Sequence, residues 1–133
     1  MRAGIITALM ILIVSASAAL ADGVGFITNY GAWSALSEPS KTAYAMGAFD
    51  DFLLSRGTAE DLADARGLAV CAIADGFTPK LLAALIDEQY AGHSQEWSAG
   101  PASTLAAALI EKCRVQMNAE RSQGGLPPLP SGP

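Results

Sequence analysis

The sequence predicts an all-α protein: a small bundle of four to five helices with one disulfide, preceded by a signal peptide. Three observations lead to this prediction. Apolar residues recur at helical spacing in several segments, capping residues stand before those segments, and the chain has only two cysteines, Cys71 and Cys113. The 133 residues suit one domain of ordinary size.

The first residues follow the order of a secretory signal. Residues 1–3 form a short basic start, residues 4–14 an apolar run, and small residues continue to Ala21. An uncleaved membrane anchor is the alternative, but the apolar run is too short for about 30 Å of hydrocarbon. We expect a signal peptide over 1–21, cleavage before Asp22, and a periplasmic protein that has no membrane segment after cleavage.

The two cysteines are expected to be joined. An exported chain reaches an oxidising compartment, where an even number of cysteines normally forms bridges. With only Cys71 and Cys113 present, one intramolecular pairing exists. Closing a loop of about forty residues stabilises a protein by roughly 4 kcal/mol at most in the chain-entropy model.

Residues 22–122 are predicted to form the helical domain, after an irregular Gly-rich start. The first strong helix begins after the N-cap Ser37, carries a wide apolar stripe over 44–53 and ends before Gly57. Thr58 and Asp61 resemble a capping box, and Gly67 is the predicted end of that second helix. Residues 68–75 fit a helix end, a buried loop or a short strand.

Two further helices have clear starts. Thr78 is a capping residue with Pro79 at the first helical position, and this helix ends at Gly92. Pro101 opens the last helix, in which Cys113 lies on the apolar face with Leu105, Ala106, Leu109, Ile110 and Met117. Residues 123–133 are rich in Pro and Gly, which predicts a disordered tail.

No residue pattern indicates catalysis, a metal or a cofactor. The one histidine, His93, lies in an exposed-looking linker without an acid beside it, so a Ser or Cys nucleophile has no evident base. One histidine and two bridged cysteines leave no usual zinc set. The adjacent acids Asp50 and Asp51, and Asp87 and Glu88, are better explained as structural or solvated than as a glycosidase pair. We therefore expect a protein that is not an enzyme.

The charge favours certain partners over others. The chain has 13 acids and 8 Lys or Arg, and loss of the signal removes only Arg2, which leaves 13 against 7 and a net charge of −6. This charge disfavours nucleic acid or an anionic membrane as a partner and mildly favours a basic protein, although plain solubility also explains it. Trp33 and Trp97 are either contact anchors or core residues; core packing is favoured for Trp33, and Trp97 stays open.

Ordered residues along the chain resemble the Rap/Tai immunity proteins of type VI secretion. The resemblance covers about residues 30–114 and consists of Trp33, Leu36-Ser37, Lys41, Tyr44, Gly47, Asp50, Cys71, Gly76, Thr78, Leu82, Tyr90, Pro101-Ala102, Leu105, Ala108-Leu109 and Cys113. Members of this family are exported, helical, disulfide-bonded proteins that bind peptidoglycan amidase effectors and protect the producing cell.

The resemblance implies an inhibitor that covers the active site of a cell-wall amidase toxin with a loop, as a monomer or a homodimer. The candidate contact residues are His93, Glu96 and Trp97 in the segment 92–100, and Arg56 in the segment 56–61. The alternative is an acid-stress periplasmic chaperone of the HdeA type, which is also small, helical and held by one long-loop disulfide. An enzyme with a novel site is a third, less favoured interpretation.

Overall fold

The structure, a computed structural model, describes residues 27–54 and 57–131. Helices are the only regular secondary structure in these residues, which confirms the predicted all-α fold. They are α1 (Tyr30–Ser34), α2 (Glu38–Leu54), α3 (Ala59–Asp75), α4 (Pro79–Gly92) and α5 (Pro101–Gln123), with a 3-10 turn at Ser94–Glu96. The predicted signal peptide, residues 1–21, lies outside the described residues.

Local capping signals position α3 and α4 as predicted. The Thr58 hydroxyl accepts a hydrogen bond from the Asp61 amide at 3.0 Å, and the Asp61 carboxylate accepts one from the Thr58 amide at 2.9 Å. The Thr78 hydroxyl accepts the Leu81 amide at 3.1 Å, directly before Pro79. These bonds satisfy amide groups that a helix start leaves without partners.

The prediction that Gly67 ends the second helix is wrong, because α3 continues through it to Asp75. A Cβ atom on Gly67 would lie 2.3 Å from the Cα of Met117 in α5. The glycine therefore permits a close crossing of two helices, and this packing outweighs its low helix propensity of about 1 kcal/mol. Residues 68–75, for which the sequence left three alternatives, are the second half of this helix.

The disulfide lies in the centre of the core and joins α3 to α5. The Cα atoms of Cys71 and Cys113 are 5.6 Å apart, and both residues are fully buried. Helices α2 and α4 pack against each other, and α4 also packs on α5. The largest fully buried side chains around this centre are Trp33, Tyr90, Ile86 and Leu105.

The C-terminal segment differs from the predicted disordered tail over residues 124–131. After Gly125, which has a φ of 68°, the chain turns back along α5. The Asn118 side chain accepts a hydrogen bond of 2.8 Å from the Leu129 amide, and the Arg121 side chain donates one of 2.7 Å to the Pro127 carbonyl. Side chains of α5 thus supply the partners that the proline-rich backbone cannot supply to itself.

No single helix in the described ranges is both long and apolar enough to cross a bilayer. Helices α3 and α4 reach the required length and hydropathy only as a pair, and that pair is bent by 107°.

Candidate functional site

The segment from His93 to Gly100, hereafter the α4–α5 loop, brings three of the four predicted contact residues together. Successive backbone hydrogen bonds shape it: the Glu96 amide donates to the His93 carbonyl at 2.9 Å, and the Ala99 amide donates to the Glu96 carbonyl at 2.8 Å. The Trp97 amide donates to the Ser94 carbonyl at 3.2 Å. The loop is therefore a run of tight turns with its own backbone bonds.

Trp97 combines a fixed ring with an accessible surface. Its indole nitrogen donates to the Tyr90 carbonyl at 2.9 Å, and its ring stacks on Tyr30 with centroids 5.0 Å apart and an interplanar angle of 25°. The Tyr30 amide also donates to the Trp97 carbonyl at 3.0 Å. Because 50% of Trp97 remains exposed, the ring is both packed and available for contact. Trp97 is therefore not a fully buried core residue.

His93 and Glu96 are partly buried and hold the loop to α4. Since the Gln89 carbonyl can only accept, the His93 Nδ1 carries a proton and donates to it at 3.1 Å. The Gln89 side-chain amide donates to Glu96 at 3.2 Å. Both side chains therefore help to fix the shape of the loop. Arg56, the fourth candidate, lies outside the described residues.

Tyr90 of α4 holds the α4–α5 loop through a side-chain hydrogen bond. It is almost fully buried, and its hydroxyl donates to the Ala99 carbonyl at 2.7 Å. Burial raises the pKa of the Tyr90 phenol, because the phenolate would lose its hydration; a hydrogen bond with Thr104 acts in the opposite direction. The sequence placed Tyr90 in the core but did not reveal its bond to the loop, because Ala99 offers only a backbone carbonyl.

A partly buried ionic cluster near α1 was not predicted from the sequence. The Trp33 indole donates to Asp87 Oδ1 at 2.7 Å, and the Lys41 ammonium lies 3.2 Å from the same oxygen. The Lys41 nitrogen is also 5.3 Å from the centre of the Trp33 ring. Trp33 is fully buried, as favoured, and Asp87 has the structural role expected of its acidic pair. Trp33, Lys41 and Asp87 each stand out in the sequence, but nothing in the sequence indicates that they meet.

A cavity, hereafter the α3–α5 cavity, lies between α2, α3 and α5. Its volume is about 200 Å³, and its walls are apolar except for Asp61 and Asp64. None of its lining residues belongs to the α4–α5 loop. In residues 27–54 and 57–131, no three His, Cys, Asp or Glu side chains form a group that could hold a metal ion.

Comparison with known proteins adds no relative. No protein-family model matches the chain, and no curated protein or solved structure is significantly similar to it.

Proposed function

We propose that this protein is a periplasmic immunity-type binding protein that inhibits a peptidoglycan amidase effector of type VI secretion. The observation that carries the proposal is Trp97, half exposed on a loop whose geometry is already fixed. The order of residues that resembles the Rap/Tai proteins supplies the kind of partner.

Pre-organisation of the loop favours tight binding. Association usually requires side chains and loops to become ordered, at a free-energy cost of about 0.5–1.5 kcal/mol for each flexible side chain. The Trp97 ring is already held by Tyr30 and Tyr90, so little further ordering is needed. Tryptophan is also among the residues that most often dominate the binding energy of an interface.

Inhibition of this kind requires no chemistry from the protein. A loop that occupies the groove of an amidase prevents the peptide stem of peptidoglycan from reaching the catalytic groups. The excess of 13 acids over the 7 Lys or Arg that remain after loss of Arg2 favours association with a basic partner and increases the rate of encounter.

The test uses the mature chain and the cell-wall amidases encoded beside its gene. We expect binding, inhibition of peptidoglycan cleavage, and protection of cells on co-expression. Trp97→Ala should weaken binding about 30-fold or more, as for a loss of 2 kcal/mol or more at an interface centre. Val115→Ala, which shortens an exposed apolar side chain on α5, is the matched control and should leave binding unchanged.

Two outcomes would count against the proposal. Absence of binding to every such amidase, together with no protection, contradicts the function. Full inhibition by the Trp97→Ala protein contradicts the assignment of the loop. Circular dichroism of each variant separates a loss of contact from a loss of fold.

One feature favours the HdeA-like chaperone as a second candidate. Lys41 and Arg121 are buried cations, and each is held by a carboxylate: Asp87 at 3.2 Å and Asp64 at 2.9 Å. Loss of the negative charge on either carboxylate would leave a buried cation without its partner and favour opening of the fold. Suppression of the aggregation of a client enzyme at about pH 2 to 3 would support this candidate, whereas an amidase inhibitor has no reason to show it.

A further inference from the structure

The α3–α5 cavity has the properties of a site for one side chain. Phe52, Leu68 and Ile110 provide apolar walls, and the small side chains of Ala65 and Ala106 leave the space between them. Apolar surface that stays open to water is unfavourable, so a matching apolar group gains free energy by entering. The volume of about 200 Å³ is below the range of about 300–1,000 Å³ typical of small-molecule sites.

Two carboxylates line the cavity, and they differ in whether a cation of the described residues is paired with them. Asp64 is paired with Arg121, whose Nη1 lies 2.9 and 3.0 Å from the two carboxylate oxygens. Arg121 is also committed to the Pro127 carbonyl, so its position is fixed. Asp61 accepts the Thr58 amide, but no Lys or Arg within residues 27–54 and 57–131 forms an ion pair with it. Asp61 therefore contributes a negative charge to a cavity whose other carboxylate, Asp64, is paired with Arg121.

We propose that the α3–α5 cavity receives one aromatic or large aliphatic side chain of a protein partner, and that an adjacent Arg or Lys of that partner pairs with Asp61. The size of the cavity selects a single side chain, and its charge selects a basic neighbour. Such an anchor in a pocket is the usual form of an interface hot spot. The proposal rests on the function proposed above in so far as the partner is a protein, and it adds a contact outside the α4–α5 loop.

A short peptide tests this contact without the amidase. The probe is acetyl-Phe-Arg-amide, added to the ¹⁵N-labelled mature chain and followed by the amide shifts in NMR spectra. We expect saturable shifts of the amides of Ala65, Leu68, Ala106 and Ile110. Acetyl-Phe-Glu-amide should bind about 3- to 5-fold more weakly because it lacks the ion pair. Acetyl-Gly-Arg-amide should bind at least about 5-fold more weakly because it lacks the apolar side chain.

Matched substitutions separate the charge from the cavity. Asp61→Asn keeps an oxygen that can accept the Thr58 amide and should weaken binding of the Phe-Arg probe about 3- to 5-fold. Asp51→Asn, at an exposed position of α2, should have no effect. Ala106→Phe fills the cavity and should abolish binding, whereas Ala119→Phe on the exposed side of the same helix should not.

Each contrary result has a definite meaning. Equal binding of the Phe-Arg and Phe-Glu peptides, shifts confined to other residues, or no shift at any soluble peptide concentration would overturn the cavity proposal. If Ala106→Phe does not fold, Asp61→Asn and the two control peptides still decide it. Loss of amidase inhibition in Trp97→Ala with unchanged peptide binding separates a result on the α4–α5 loop from a result on the cavity.

Discussion

Asp87 connects three helices through one oxygen atom, which accepts the Trp33 indole at 2.7 Å and lies 3.2 Å from the Lys41 ammonium. The Lys41 side chain is only 11% exposed, and of its two carboxylate neighbours Asp87 lies closer, at 3.2 Å against 3.9 Å for Glu38. We expect Asp87→Asn to lower the free energy of unfolding by about 1–2 kcal/mol, because a buried ammonium loses its counter-charge. The urea midpoint measures this change.

Substitution of the other partner, Lys41, should change the free energy of unfolding less. Lys41→Met keeps an apolar stem of similar volume and removes the charge, so we expect a change within about 1 kcal/mol. In the Lys41→Met background, Asp87→Asn should be less destabilising than it is alone, which identifies the pair as coupled. Glu88→Gln, at the exposed neighbour, is the control. Equal effects of Asp87→Asn with and without Lys41 would contradict the coupling.

Tyr90 should make the free energy of unfolding depend on pH in the alkaline range. Burial raises the pKa of its phenol in the folded state above the value near 10 found in unfolded chains. The resulting stabilisation is fully present below the unfolded pKa and is lost as pH rises through the folded pKa. We expect the urea midpoint to fall above about pH 10, and Tyr90→Phe to reduce that fall. An identical pH profile in Tyr90→Phe would contradict this assignment.

At the scale of the helices, the sequence predicted features that depend on neighbouring residues. Thr58, Thr78 and Pro79 act within one turn, and the predicted starts of α3 and α4 are confirmed. Gly67 was misread because its role depends on Met117, which lies fifty positions further along the chain. Asp87 was missed as a partner for the same reason, because its bond to Trp33 joins distant segments. The Tyr90 bond to Ala99 was missed because a backbone carbonyl leaves no sign in the sequence.

The crossing of α3 and α5 at Gly67 leads to a sharp prediction. Gly67→Ala places a methyl group 2.3 Å from the Met117 Cα, a backbone atom that cannot move by itself. The two helices must separate near the disulfide, and we expect a loss of about 3 kcal/mol, the upper end for overpacking. A thermal melt followed by circular dichroism measures it.

Gly47 is a matched control in another helix. It lies on the exposed side of α2, and an added Cβ would have no atom within 4 Å. Gly47→Ala should therefore stabilise the protein by about 0.5–1 kcal/mol through helix propensity alone. If both alanine variants melt at similar temperatures, the close approach of α3 and α5 is not a determinant of stability.

The whole molecule depends on packing between distant segments, and its single covalent link joins two of them. The order of helices and the pairing of Cys71 with Cys113 were predictable, because periodicity and cysteine number are visible in the sequence. The position of residues 124–131 was not, because composition does not reveal that Asn118 and Arg121 bind the returning chain. The candidate site in the α4–α5 loop was only partly predictable: the sequence indicated Trp97 as a candidate contact residue, but not that the Tyr30 ring stacks on it.

The disulfide should account for much of the stability of the protein. It closes a loop with a sequence separation of 42 residues, so the Cys71→Ala/Cys113→Ala variant should lose up to about 4 kcal/mol, against about 5–15 kcal/mol for a whole domain. Because both cysteines are fully buried, dithiothreitol should reduce the bridge only after the fold opens. Alkylation and mass spectrometry should show slow reduction in native buffer and fast reduction in urea. Fast reduction in both would mean that the core around α3 and α5 opens readily without denaturant.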